Sequence, residues 1–257
     1  MPLSPYQFTF NGLTFGAGTP YVVTSVFGLA GMMPLRTQDD NRGYSDGTWS
    51  GRDFYDARTV DISLLITGDG TYSAQYYYNL LQTALAPQQL GYPSELKTFQ
   101  FQLSADTGPK RMTGRVRALQ TNVDPEFTYG YILTTATFYF PDPRYYDETQ
   151  QTASGSSAVS VLNNGWATTC PTITIASPSA SFTITDSLTG TVMAFANVST
   201  GYSVVIDLLN KTVQNNGYAR NILTSATTDW LYVPGKSTGS WTSTGGSMSI
   251  AWRSAYV

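Results

Sequence analysis

Two prolines one residue apart, Pro141 and Pro143, stand where the composition of the chain changes. Each proline fixes its own φ and lacks a backbone N–H, and each favours extended backbone at the preceding residue. Residues 152–257 contain only four of the 14 Lys and Arg and three of the 17 Asp and Glu. We therefore predict two domains, residues 1–145 and 146–257, joined by a stiff hinge. The predicted hinge consists of Pro141, Asp142, Pro143 and Arg144.

The composition favours sheets over helices. Apolar residues make up 41% of the chain and charged residues 12%, so disorder through excess charge is not expected. Abundant Thr, Tyr, Gly and Ser are typical of strands and tight turns. A net charge of −3 predicts no general affinity for nucleic acid. The N-terminus lacks a signal-peptide pattern and no apolar run is long enough for a membrane span, so we expect a soluble protein made in a cytoplasm.

The absence of histidine restricts the chemistry that is available to the chain. There is no Ser–His or Cys–His pair and no His metal ligand, and the single Cys170 cannot form an intrachain disulfide. A glycosidase-like pair of carboxylates would have to come, in the second half, from Asp186, Asp207 and Asp229 alone. We expect no enzyme activity, no metal ion and no cofactor.

Alternating apolar residues predict a sheet with one helix in the first domain. Residues 58–66 form the clearest strand, with Val60, Ile62 and Leu64 on one face. The segment 73–86 is predicted to be a helix that packs on the sheet, capped by Ser73 and ended by Pro87. Further strands are expected at residues 6–12 (closed by an Asn-Gly turn), 21–29, 99–103, 111–120 and 131–140.

The segment 30–57, which we call the arm, shows no regular pattern and is rich in Gly, Asp, Arg and aromatic residues. A loop of this length is usually functional or is stabilised by a partner. Its acidic residues do not have the spacing of a calcium loop. It is either a solvated, charge-balanced arm or an arm that contacts a neighbouring subunit. In the second case Arg and Trp side chains would be the anchors, namely Arg36, Arg42, Trp49 and Arg52.

A basic cluster lies on the predicted strand 111–120 and just before it. Nucleic acid is a conceivable partner, but a salt-bridged sheet face or a subunit contact fits four charges in an acidic chain better. The basic cluster consists of Lys110, Arg111, Arg115 and Arg117.

The second half shows short strands at regular spacing, which predict a β-sandwich; they include segments 159–162, 172–175, 204–208, 230–233 and 248–253.

Taken in order, these features resemble the distal tail proteins, also called minor tail proteins, of bacteriophages with long non-contractile tails (siphophages). The resemblance spans nearly the whole chain, and it depends on the order of the features and on the proline joint, since no single motif is specific. It rests on these residues: Arg36, Arg42-Gly43, Asp46-Gly47 and Gly51-Arg52; strand 58–66 and the helix after it; Phe140–Tyr145; Asn163-Asn164-Gly165; Val205–Asp207; Lys211–Val213; Asn216-Gly217; Trp230; Pro234-Gly235; and Ile250–Arg253.

The resemblance implies a tail-tube-like first domain, a β-sandwich or split barrel with one packed helix, and a galectin-like β-sandwich as second domain. First domains would form a ring, expected to be a hexamer, in the baseplate at the tail tip of the virion. The ring would join the tail tube protein, or the tape-measure end, to the tail-tip hub protein and receptor-binding apparatus. DNA would pass through its lumen without specific binding. The resemblance also favours the subunit-contact interpretation of the arm.

Two other functions remain open. A carbohydrate-binding module that contacts host glycans would need an exposed aromatic side chain flanked by polar groups. Trp241, surrounded by Ser, Thr and Gly, is the tryptophan that we expect to be exposed. A main tail-tube subunit with an added second domain would explain the first half only. The copy number per virion would separate it from a distal ring, since tube subunits are abundant.

Overall fold

We describe a computed structural model of the chain, which covers residues 3–86 and 96–257. The chain divides into two compact units, Met1–Glu148 together with Val257, and Thr149–Tyr256. Both units are built mainly of β-strands. This confirms the predicted mainly-β fold class. The more specific assignments, tail-tube-like for the first domain and galectin-like for the second, stay predictions.

The first unit is organised around one large antiparallel sheet. Its strands run in the order β2-β1-β9-β10-β11-β8-β3, and β12 pairs with β10. Two short ribbons, β4 with β7 and β5 with β6, lie between β3 and β8 in the chain. The strands are β1 Gln7–Phe10, β2 Leu13–Gly16, β3 Tyr21–Phe27, β4 Leu35–Arg36, β5 Asp40–Asn41, β6 Thr48–Trp49, β7 Phe54–Tyr55, β8 Arg58–Thr67, β9 Lys97–Gln102, β10 Lys110–Thr121, β11 Tyr131–Phe140 and β12 Tyr145–Asp147.

The first core lies between one face of this sheet and helix α1 (Ala74–Leu85). As predicted, Val60, Ile62, Leu64 and Ile66 of β8 face the core, and Thr59, Asp61 and Ser63 face away. The Ser73 side chain accepts a hydrogen bond from the Tyr76 backbone N–H (3.3 Å), which confirms the predicted N-cap. Pro87, predicted to end the helix, lies outside the described residues. A short second helix, α2 (Pro125–Thr128), precedes β11.

The second unit is a sandwich of two antiparallel sheets over one core. The strand orders are β13-β22-β15-β18-β19-β20 and β14-β21-β16-β17. Inward residues of both sheets pack together, among them Val161, Ile184, Ile173 and Ile250. The strands are β13 Gln151–Gly155, β14 Ala158–Asn163, β15 Thr172–Ala176, β16 Phe182–Asp186, β17 Val192–Phe195, β18 Val204–Asp207, β19 Thr212–Asn215, β20 Tyr218–Ala219, β21 Ser237–Ser243, β22 Ser247–Trp252 and β23 Ala255–Tyr256.

One strand prediction in the second unit is wrong. Residues 230–233 form only an isolated bridge, between Val233 and Thr169, because Pro234 follows and cannot donate to a ladder. The strand lies a few residues later, at β21, in a Ser-, Thr- and Gly-rich sequence without an apolar run. Its inward positions are taken by Gly239, Trp241 and Ser243. Because the strand is β21, Trp241 lies at an inward position of a strand and is buried.

Candidate functional site

The arm is an exposed β-ribbon that lies outside the first core. Every residue from Pro34 to Asp56 is exposed. The Asp56 N–H donates to the Pro34 carbonyl (2.8 Å) at the root, and the Arg42 N–H donates to the Gly47 carbonyl (3.2 Å) near the tip. The sequence predicted no regular structure here. The four strands of the arm are two residues long, too short to leave a periodic pattern.

Gly51 allows the two limbs of the ribbon to approach each other. A Cβ atom at this position would lie 1.9 Å from the Gln38 carbonyl oxygen, far inside van der Waals contact. The Gly51 N–H donates to Asp39 Oδ1 (2.9 Å) across the same gap. Gly43, near the tip, has no atom within 4 Å of its would-be Cβ. A side chain is therefore excluded at Gly51 and tolerated at Gly43.

The four predicted contact residues fall into two clusters along the ribbon. Near the tip, the Arg42 guanidinium lies 4.7 Å from the centre of the Trp49 ring. Near the root, the guanidinium groups of Arg36 and Arg52 lie 5.7 and 5.4 Å from the Phe54 ring. Sequence reasoning missed Phe54, whose place between two arginines depends on the strand register. The role of the four predicted residues in subunit contact stays a prediction.

The arm also exposes apolar surface. Trp49 is 65% exposed and Met32 is 78% exposed, and Tyr44 and Tyr55 are exposed as well. Arginine and aromatic side chains at this density are typical of protein interfaces, where they are enriched over the rest of a surface. Stacking of guanidinium groups on rings restricts their rotamers before any partner binds. The arm therefore presents exposed arginine and aromatic side chains that are partly ordered by stacking within the ribbon.

Arg58, the first residue of β8, joins the arm to the core. Its side chain is buried, and Nη1 donates to the Leu29 carbonyl at the other side of the arm. Its Nε and Nη2 atoms have no hydrogen-bond partner among the described residues. Burial lowers the pKa of this guanidinium, and the nearby Tyr145 hydroxyl opposes the shift. Because Arg58 fixes both limbs at the root, the direction of the arm is tied to the sheet.

The predicted hinge residues lie inside the first unit, since the boundary between units follows Glu148. Arg144 Nε and Nη2 donate to the two Asp142 carboxylate oxygens (2.8 and 3.1 Å), and the Tyr146 hydroxyl donates to Oδ2 (2.5 Å). Pro143, between them, is buried. The carboxylate thus holds the two sides of Pro143 in one geometry. Whether these residues act as a hinge stays a prediction.

The prediction that Trp241 is exposed is wrong. Trp241 is 0% exposed, because it faces inward on β21 between β14 and β16. A sugar ring has no access to it, so the carbohydrate-binding alternative loses the aromatic residue on which it depended. Trp166 is exposed instead, and Lys236 Nζ lies 4.7 Å from the centre of its ring.

The described residues contain no group of three or more His, Cys, Asp and Glu side chains placed to hold a metal ion. Neither α1 nor α2, the helices in the described parts of the chain, has the length and apolar character for a membrane crossing. The basic cluster predicted at Lys110, Arg111, Arg115 and Arg117 divides into two parts. Lys110 pairs with Asp147, whereas Arg115 and Arg117 lie over the Tyr139 ring.

Comparison with known proteins gives matches among solved structures. No protein-family model and no curated protein matches the chain. The crystal structure of the SPP1 Dit (gp 19.1) protein, described as a paradigm of the hub adsorption apparatus in phages that infect Gram-positive bacteria, is 16% identical with a TM-score of 0.72. The match covers 98% of this chain and 99% of that one.

A chain of the phage P2 baseplate, in its activated conformation with calcium, is 10% identical with a TM-score of 0.51. That match covers 96% of this chain and 97% of the baseplate chain. Both resemblances extend over both units, and at these identities they concern the fold. The chain therefore has the fold of the SPP1 Dit protein over nearly its whole length.

Proposed function

We propose that this chain is a structural protein of a bacteriophage tail tip. Copies of it form a ring, expected to be hexameric, at the distal end of a siphophage tail. The ring connects the tail tube and tape-measure end to the tail-tip hub, and the genome passes through its lumen. The full-length fold match to the SPP1 Dit protein supports this class of function. The chain acts through assembly and has no catalytic role.

The arm is the observation that carries the ring proposal. A strand advances about 3.3 Å per residue, so a limb from Pro34 to a tip near Ser45 spans at most about 35 Å. That is enough to reach a neighbouring copy. The end strands of the large sheet give a second means of contact, because within the described residues β2 pairs only with β1, and β3 only with β8. Free strand edges and projecting arms are common elements of heterologous subunit contacts.

The charge of the chain suits a channel for DNA. A net charge of −3 gives no general attraction to phosphate groups, so a passing duplex is not retained. The number of subunits and the neighbours above and below the ring come from the resemblance to distal tail proteins. A main tail-tube subunit stays a competing interpretation of the first unit.

The ring is tested by the mass of the purified chain in solution and by negative-stain images of the same sample. We expect closed rings with a central hole and a mass six times the 28.0 kDa of one chain. Gly51→Ala should lower the ring fraction, because its Cβ collides with the Gln38 carbonyl. Gly43→Ala is the matched control and should assemble like the wild type.

Two results would contradict the proposal. A wild-type chain that stays monomeric over the whole accessible concentration range, and binds glycans specifically on an array, would support the sugar-binding module. Open tubes, or a copy number per virion as high as that of a tube protein, would support the main tail-tube subunit.

A further inference from the structure

We propose that the tip of the arm docks on the Arg115–Tyr139–Arg117 cluster of the neighbouring copy, with Asp40 pairing with Arg117. We call these three residues the docking cluster. The inference rests on the proposed ring and names the surface that receives the arm. It follows from the geometry of a β-bulge, from the charges of Arg117 and Asp40, which form no ion pair among the described residues, and from the exposure of the arm in its own chain.

The docking cluster is built by a bulge in β10. Arg115 pairs with Tyr139 and Val116 with Phe138, but the next pair is Ala118 with Thr137, so Arg117 is an extra residue in the ladder. The guanidinium groups of Arg115 and Arg117 lie 5.7 and 4.6 Å from the Tyr139 ring centre. The bulge thus gathers two cations on one aromatic side chain.

The docking cluster lies on the polar face of the large sheet. Tyr139 stands opposite Thr59 of β8, and the adjacent Thr137 donates a hydrogen bond to Asp61 Oδ1 (2.6 Å). This face points away from the aromatic and aliphatic core of the first unit. Within the cluster Arg117 is exposed, whereas Arg115 and Tyr139 are partly buried.

The four residues of the basic cluster differ in how their charge is balanced. Lys110 forms an ion pair with Asp147 (2.5 Å), and Arg111 lies 3.8 Å from Glu148. Arg117 is exposed, and within residues 3–86 and 96–257 no carboxylate lies at salt-bridge distance from it. The ion pairs thus balance Lys110 and Arg111, whereas Arg117 is available to an acidic partner.

The arm tip has the complementary charge. Residues 34–56 contain five Asp against three Arg. Asp40 is exposed and stands opposite Trp49 in the ribbon, so a carboxylate and an indole share one face of the tip. In the part of the chain that the structure describes, no cation forms an ion pair with Asp40. A carboxylate accepts two hydrogen bonds from a guanidinium, whereas the Trp49 ring already has the Arg42 guanidinium of its own arm 4.7 Å from its centre.

The occupant of the docking cluster is a second copy of the chain. Within one chain every residue from Pro34 to Asp56 is exposed, so the tip is not docked on its own cluster. An arm that leaves one copy and binds a different surface on the next forms a heterologous contact, and a series of such contacts closes into a ring. Nucleic acid, the competing anionic partner, is an outcome of the test.

The test exchanges the two charges and measures ring formation by light scattering and negative stain. Arg117→Glu and Asp40→Arg should each raise the concentration at which half of the chain is assembled by about tenfold or more, since like charges then face each other. Lys211→Glu, an exposed change of the same sign in the second unit, is the matched control. Circular dichroism melts should be the same for all variants, because both altered residues are exposed.

Mixing the two variants gives the decisive readout. In an alternating ring, the unchanged Asp40 of one variant meets the unchanged Arg117 of the other, and Arg at position 40 meets Glu at position 117. An equimolar mixture should therefore assemble like the wild type, although each variant alone needs about tenfold more protein to assemble. A residue that only supports its own fold would give no rescue on mixing.

Each other outcome has a definite meaning. Wild-type rings with Arg117→Glu rings of equal stability would overturn the inference and leave the ring proposal intact. Assembly lost in both variants without rescue on mixing would overturn the Asp40–Arg117 pairing. Normal rings together with a loss of DNA retention in Arg117→Glu would assign the cluster to nucleic acid. A wild type that never forms rings would contradict the proposed function itself.

Discussion

Replacement of Trp241 tests the internal packing of the second unit most directly. Trp241 is 0% exposed and contacts the core that both sheets of the sandwich share. A Cβ at Gly239 would lie 3.1 Å from the indole Nε1, so the glycine leaves the room that this ring occupies. We expect Trp241→Ala to destabilise the second unit strongly, and Trp166→Ala, at a position 71% exposed, to have little effect.

The magnitude follows from the burial of the ring. A buried aromatic side chain removes about 150–250 Å² from water, which at about 25 cal/mol per Å² corresponds to about 4–6 kcal/mol. The Trp241 Nε1–H has no hydrogen-bond partner among the described residues, and its removal recovers about 1–3 kcal/mol of that loss. The expected loss of unfolding free energy is about 3 kcal/mol, consistent with large-to-small core replacements.

Equilibrium unfolding in urea, followed by far-UV circular dichroism on the full chain, measures this change. With a denaturant slope of about 1–3 kcal/mol per M, the midpoint of the second unit should fall by about 1–3 M. Trp241→Phe keeps a ring and removes the unpaired donor, so it should lie between the wild type and Trp241→Ala. Equal midpoints for Trp241→Ala and Trp166→Ala would refute the inward placement of Trp241.

Three further changes probe the pH dependence and the close approaches of the fold. A hydrogen bond from the Tyr77 hydroxyl (2.6 Å) and two from backbone N–H groups lower the pKa of Asp69. The Asp69 carboxylate therefore stabilises the fold above the ordinary carboxyl pKa of about 3.9, and this stabilisation is lost as the pH falls below that value. In Asp69→Asn the urea midpoint should change less between about pH 7 and pH 3 than in the wild type. Burial raises the pKa of Tyr21 to about 12, so stability present below about pH 10 should fall towards pH 12, less so in Tyr21→Phe. In Gly165→Ala the new Cβ would lie 1.7 Å from the Ala255 carbonyl oxygen, and thermal melts should show a loss of about 1–3 kcal/mol; an unchanged melt would contradict this close approach.

The first unit could be predicted well where a periodic pattern decides the structure. Strand β8 alternates without interruption over its whole length, and its buried face is the face that the pattern predicts. Helix α1 carries an apolar stripe and a serine at its N-cap, and both predictions are confirmed. The Asn11-Gly12 turn follows from local backbone preference, since both residues adopt positive φ. Each of these signals is local in the sequence.

The errors arise where tertiary context overrides the local sequence. The segment Ser237–Ser243 shows no run of alternating apolar residues, yet it lies between β14 and β16 and buries Trp241. A tryptophan among Ser, Thr and Gly looks exposed because the sequence does not show which neighbours will cover it. In the arm, residue types indicated a contact surface, but Phe54 and the pairing of Arg42 with Trp49 depend on a register set by two-residue strands.

The arm has a composition that the stability of its own chain does not explain. Ordering a residue costs about 1–2 kcal/mol in backbone entropy, whereas an exposed cation–π contact contributes about 0.5–1 kcal/mol. The ribbon from Pro34 to Asp56 buries none of its side chains, so it lacks the apolar burial that offsets this cost elsewhere in the fold. Arginine and aromatic residues at exposed positions become favourable once a partner covers them. The same argument applies to Arg117, which is exposed and has no carboxylate at salt-bridge distance within residues 3–86 and 96–257. The mixing experiment with Arg117→Glu and Asp40→Arg tests whether these residues become favourable on assembly.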